Sequence, residues 1–139
     1  MGEGIDRMKQ KLTVVLLGTS DIENSTRFYE KGLGLSVDHK GEEAVFFNLE
    51  NIKFALINRA YLKKDANVEL NEVGFSPCNL CRMVESKKDV NELIEQARKA
   101  GAKVTRNPDE AWWGGYSGFF ADLDNHLWEI GYHPDWVDR

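Results

Sequence analysis

The sequence has few of the features that mark specialised protein classes. No stretch approaches the roughly 18 consecutive apolar residues that a membrane span requires, so no membrane association is expected. Residues 1–11 are polar and lack the apolar core of a secretory signal, which points to a cytoplasmic protein. Basic residues are not in excess: 18 Lys and Arg stand against 23 Asp and Glu, for a net charge of −5. They form no stripe, which argues against nucleic-acid binding through phosphate neutralisation. Cysteine is scarce, with Cys78 and Cys81 the two copies. Zinc would need two more ligands at suitable spacing, and none follows. A redox Cys-x-x-C usually opens a helix, whereas the flanks here read as a strand. The pair is therefore read as two small core or pocket-wall residues. No glycine-rich phosphate loop with a following lysine is found, and Gly32 and Gly34 come after a helix rather than before one. A Gly-x-Ser-x-Gly elbow is also missing, so serine hydrolysis has no support.

The 139 residues that remain to be explained are 42% apolar and 29% charged, which suits one soluble domain. Leu12–Leu17 is a short β-branched and apolar run, read as a buried strand. Ser20-Asp21-Ile22-Glu23 forms a capping box, with Ser20 as the cap, for a helix running to Lys31. Three strands follow at residues 35–39, 44–49 and 53–57. Residues 61–71 are polar and of mixed charge, and read as a linker. The order then restarts. Residues 75–84 read as a strand, and Ser86-Lys87-Lys88-Asp89 caps a helix. That helix carries Val90, Leu93, Ile94 and Ala97 at i, i+3, i+4 and i+7, an apolar stripe. Gly101 ends it. Strands are expected at 103–106, 115–121 and 126–132.

The two halves also align in detail. Phe46-Phe47 precedes Leu49-Glu50-Asn51, and Phe119-Phe120 precedes Leu123-Asp124-Asn125. Aligned on the asparagines, Ala55 meets Glu129 and Phe54 meets Trp128. The offset is steady, 68 residues from Asp21 to Asp89 and 74 from Asn51 to Asn125, as a duplicated unit requires. The fold class is therefore α+β. Two βαβββ repeats form a curved mixed sheet around a cup-like pocket, with the helices outside. Residues 1–10 are expected to be disordered or a cloning remnant, and the domain to occupy 11–134. Repeat one takes about 11–59, the linker about 60–71 and repeat two about 72–134.

The opening Val14 to Tyr29, followed by Gly32-Leu33-Gly34-Leu35, resembles that of the glyoxalase/bleomycin resistance protein/dioxygenase, or vicinal oxygen chelate, superfamily. The segment Trp113 to Ile130 is similar to its closing hairpin, with Leu123 and Asn125 where proline and glycine are usual. Asn tolerates the left-handed turn, so the hairpin is expected to survive. The resemblance implies four positions for ligands of a divalent ion. They fall on Val14, Ala55, Asn79 and Glu129, of which Glu129 alone matches. It therefore implies no complete metal site and no expected cofactor.

Within the apolar strand around Trp128 and Ile130, Glu129 needs a partner or a shifted pKa, and it is the candidate catalytic carboxylate or ligand contact. Arg82 is its candidate partner, or an anion-binding residue of the cup. Trp112, Trp113 and Tyr116 around Gly114-Gly115 are expected to form an aromatic lid, and Phe120 to line the pocket. His126 fits a structural role in the turn. The leading expectation is a protein that binds a small molecule in an aromatic-lined cup without a catalytic metal. The resemblance supplies two alternatives. One is a metal-dependent lyase, isomerase or dioxygenase using Glu129. The other is a homodimeric interaction module, and a homodimer is expected in any case.

Overall fold

A computed structural model describes residues 8, 10, 12–70 and 78–136. The expected N-terminal tail, and the part of the fifth strand before Cys78, lie largely outside them. Among the described residues there are eight strands: β1 (Val14–Thr19), β2 (Val37–Lys40), β3 (Ala44–Asn48), β4 (Lys53–Asn58), β5 (Asn79–Met83), β6 (Lys103–Glu110), β7 (Tyr116–Ala121) and β8 (Leu127–Tyr132). Helices are α1 (Ile22–Arg27), α2 (Arg59–Ala66) and α3 (Lys87–Lys99). A π-turn, Phe28–Gly32, prolongs α1.

The strands form two four-stranded mixed sheets of order β1-β4-β3-β2 and β5-β8-β7-β6. In each, the first and last strands of a repeat run parallel and the other pairs antiparallel. The second repeat therefore restates the first strand for strand, as the internal alignment anticipates.

Local chemistry sets the element boundaries. At α3, the Ser86 hydroxyl accepts from the Asp89 N–H at 3.0 Å, as expected of a cap. At α1 the cap is Asp21 rather than Ser20. Asp21 Oδ1 accepts from the Asn24 N–H at 3.0 Å, while Ser20 donates through its N–H and hydroxyl to Asp124 of the other half, at 3.1 and 3.2 Å. A stronger, charged acceptor draws Ser20 away from its own helix. The stretch read as a linker contains α2. Asn58 caps it, its side-chain oxygen accepting from the Ala60 N–H at 2.9 Å, and Asn67 ends it in the left-handed conformation at φ 59°. The β7–β8 turn survives as expected, with Asn125 at φ 65°.

One face of each sheet carries a helix. Val45, Phe47, Phe54 and Leu56 of the first sheet, and Phe120 and Ile130 of the second, join Phe28, Tyr29, Val90, Ile94 and Ala97 in a single core. The halves meet there directly. Phe54 and Trp128 are 5.9 Å apart edge to face, and Tyr29 stands against both, at 5.0 and 6.1 Å. The π-turn also packs on the end of α3 so closely that a Cβ on Gly32 would stand 2.4 Å from the Ala100 Cβ. Both sheets thus turn their helix-bearing faces toward a shared core. The helices α1 and α3 lie opposite the expected cup walls, whereas α2 packs on the wall side of the first sheet, where Arg59 and Leu62 meet the face of Gly18. Among the described residues the two sheets stay separate and do not close on each other.

Candidate functional site

Side chains alternate across a strand, so the register decides which residues share the wall that faces away from the core. In the second half, Cys81 pairs with Glu129, Glu129 with Phe119, and Phe119 with Arg106. Cys81, Glu129, Phe119 and Arg106 therefore form one row across the wall. The next row runs Met83, Gly131, Ser117 and Asp109. The equivalent row of the first half is Leu16, Ala55, Phe46 and His39. Duplication has left the aromatic in place in both walls. The first half is otherwise mostly apolar, and the second carries charge.

Trp113 covers the second row. A Cβ on Gly131 would stand 3.4 Å from its ring, and one on Gly115 would stand 2.0 Å from it, so both glycines make room for the indole. The ring stacks on His133, with centroids 5.9 Å apart. Beside it, Arg106 Nη2 donates to the fully buried Ser117 hydroxyl at 2.7 Å. The guanidinium lies 5.4 Å from the centre of the Phe119 ring. Glu129 is half-buried and accepts from Asn79 Nδ2 at a long 3.5 Å. Cys81 donates weakly to the Met83 sulfur at 3.7 Å. Its thiol is pushed above its ordinary value by desolvation first and by the Glu129 charge second, which keeps it protonated rather than an activated nucleophile.

The structure gathers some of the expected site residues and separates others. Glu129 and Trp113 stand on the wall. Arg82 does not: it pairs in register with Ile130, on the helix side. Its Nη1 donates to the Met83 carbonyl, and it borders a depression of about 210 Å³ with Val84, Glu85 and Asp89. It cannot be the partner of Glu129, because neighbouring strand residues face opposite ways. Phe120 is likewise a core residue, 1% exposed and stacked on Trp128. Tyr116 seals α3, donating to Asn91 Oδ1 at 2.7 Å beneath the Lys87 ammonium. Trp112 is 96% exposed in the β6–β7 turn, so the expected three-aromatic lid reduces to Trp113. Residues 106, 117 and 119 were not anticipated, although hairpin pairing across the Asp122–His126 turn points from Glu129 to Phe119. A larger depression, of about 520 Å³, lies between the π-turn and α3 and bears on neither wall.

A different polar cluster ties the halves together. Tyr29 donates to Asp122 Oδ2 at 2.5 Å and accepts from Trp128 Nε1 at 3.0 Å. Asp122 Oδ1 accepts from the N–H groups of Asp124 and His126, at 2.9 and 2.8 Å. His126 Nε2 reaches the Gly18 carbonyl at 2.7 Å, the structural role expected of it.

The four positions where a divalent ion would be held can now be tested by donor chemistry. Val14 and Ala55 offer no donor atom, and Ala55 is fully buried. Asn79 and Glu129 are adjacent, but one amide and one carboxylate are too few to hold such an ion against water. Among the described residues no three His, Cys, Asp or Glu side chains come together as a metal site. These residues do not fit the group.

Comparison with known proteins agrees with this architecture. A sequence model of the Glyoxalase/Bleomycin resistance protein/Dioxygenase superfamily matches residues 11–130. Among solved structures, a glyoxalase-related enzyme from Fulvimarina pelagi is 30% identical. The match covers 94% of each chain, with a TM-score of 0.88. A lactoylglutathione lyase from Agrobacterium tumefaciens is 19% identical, over 94% of this chain and 98% of that one, with a TM-score of 0.70. A fosfomycin resistance protein from Mesorhizobium loti is 21% identical, over 91% and 94%, with a TM-score of 0.68. With two βαβββ repeats and a family match over most of its length, the chain belongs to the Glyoxalase/Bleomycin resistance protein/Dioxygenase superfamily.

Proposed function

We propose that this chain binds a small molecule on the helix-free wall of its second half, without a resident divalent ion. The observation that carries this reading is the wall itself. At the superfamily's ligand positions it presents the Asn79 amide and the Glu129 carboxylate, beside the aromatic surface of Phe119 and Trp113, while the two positions on the first half's wall, Val14 and Ala55, offer no donor atom. A face of aromatic area with a few polar groups suits a small organic ligand better than Lewis-acid chemistry. A second copy of the chain would complete the cup, since among the described residues the two sheets do not close on each other and Leu16 of the first wall is 44% exposed. No helix among the described residues is long and apolar enough to cross a membrane. A cytoplasmic site is in keeping with two exposed, unpaired cysteines, which a reducing compartment would keep free.

The test is the metal content of the purified protein, with its melting temperature measured with and without Ni²⁺, Zn²⁺, Mn²⁺ and Fe²⁺. No bound metal and no shift is the expected result. One ion per chain, with the stabilisation that mass action then requires, would put a metal-dependent lyase, isomerase or dioxygenase using Glu129 in its place. Sedimentation is expected to show a dimer.

A further inference from the structure

Resting on that reading, we infer that the wall of the second half selects a small organic acid. Arg106 would hold its anionic group, Phe119 and Trp113 its flat body, and Glu129 a hydroxyl or amine donor at the far end. Three observations carry the inference. First, Arg106 is a half-buried cation on the wall that lacks an anionic partner. Its one hydrogen bond runs to the neutral Ser117 hydroxyl, and among the described residues no carboxylate lies within ion-pair distance of it. A guanidinium has five N–H donors in a fixed fork, so most remain available for a carboxylate or phosphonate. Second, Ser117 and Phe119 hold the fork in place from the side and from below, which lowers the entropy lost when it engages a ligand. Third, Glu129 stands in the same row, two strands away across Phe119. At about 4.8 Å per strand that is roughly 10 Å between backbones, with the Phe119 side chain between them and the Arg106 guanidinium over its ring. Glu129 has no cation in ion-pair contact among the described residues and only a long bond from Asn79. It is left to accept from a ligand.

The probes are para-hydroxymethylbenzoate, its neutral amide para-hydroxymethylbenzamide, and para-methylbenzoate, titrated into the full chain and followed by calorimetry. The acid is expected to bind at least about tenfold more tightly than the amide, the usual worth of a charge-assisted pair. Arg106→Met should abolish that preference, and Arg106→Lys should keep part of it. Glu129→Gln should weaken para-hydroxymethylbenzoate and leave para-methylbenzoate unchanged. An amide that binds as tightly as the acid, or a preference that survives in Arg106→Met, overturns the inference while leaving the metal-free pocket standing. Failure of all three probes at millimolar concentration overturns the inference too. The metal titration then decides whether the pocket reading falls with it.

Discussion

The junction between the halves offers the sharpest test of the fold. Tyr29→Phe removes a single oxygen that makes two hydrogen bonds, one to the buried Asp122 carboxylate and one from the Trp128 indole. A hydrogen bond to a charged group is worth about 1.5–3 kcal/mol, and leaving the indole N–H unpaired adds about 1 kcal/mol, so the loss should be about 3 kcal/mol. For a domain of this size that lowers the melting temperature by roughly 10 °C. Urea unfolding followed by tryptophan fluorescence would measure it. The deficit should also depend on pH. Burial, first, raises the pKa of Asp122 above the ordinary aspartate value, while the His126 charge and the Tyr29 hydrogen bond pull it back. Between the ordinary and the raised value the folded state holds more protons than the unfolded one, so this group's contribution falls as pH rises through that window. Removing the Tyr29 hydroxyl raises the folded pKa further and extends the window upward. Tyr29 itself stays protonated throughout, since burial and the Asp122 charge hold its pKa well above the usual range. The variant's deficit is therefore largest near neutrality and shrinks on acidification, as Asp122 in the variant becomes neutral before it does in the parent. Asp122→Asn should flatten this dependence. A deficit under about 1 kcal/mol, or one constant between about pH 4 and 7, would refute the argument.

Two further variants test the local chemistry. Ser86→Ala removes the acceptor for the Asp89 N–H and should cost about 1 kcal/mol, read as a shift in the urea midpoint with an unchanged slope. Gly32→Ala places a methyl group 2.4 Å from the Ala100 Cβ, and should cost about 1–3 kcal/mol where the π-turn meets α3. Adding Ala100→Gly should recover most of that loss, a coupling that a double-mutant cycle measures.

The fold was legible because its signals are local. The caps, the apolar stripe of α3 and the paired strand-and-turn blocks each occupy a few adjacent residues, and their repetition reveals the duplication. The helix α2 escaped because it shows no apolar stripe. Its one local signal was Asn58, a residue type that both caps and turns favour. The site was less legible because it depends on face parity, which a single residue reverses. Arg82 and Phe120 each sit one place away from a wall residue, Cys81 and Phe119, and so point into the core side instead.

Arg106 shows why parity alone falls short. Lys103 pairs with Ala121 and Val104 with Phe120, so an unbroken ladder would bring Thr105 opposite Phe119. The register slips by one residue there, and Arg106 takes that place instead. A β-bulge of this kind re-aims the side chains that follow it, and no periodicity in the sequence announces it. One inserted residue thus decides whether the wall carries a neutral hydroxyl or a guanidinium in the row of Phe119 and Glu129. The chemistry of this wall is therefore as much a property of the β6–β7 register as of the residues that line it.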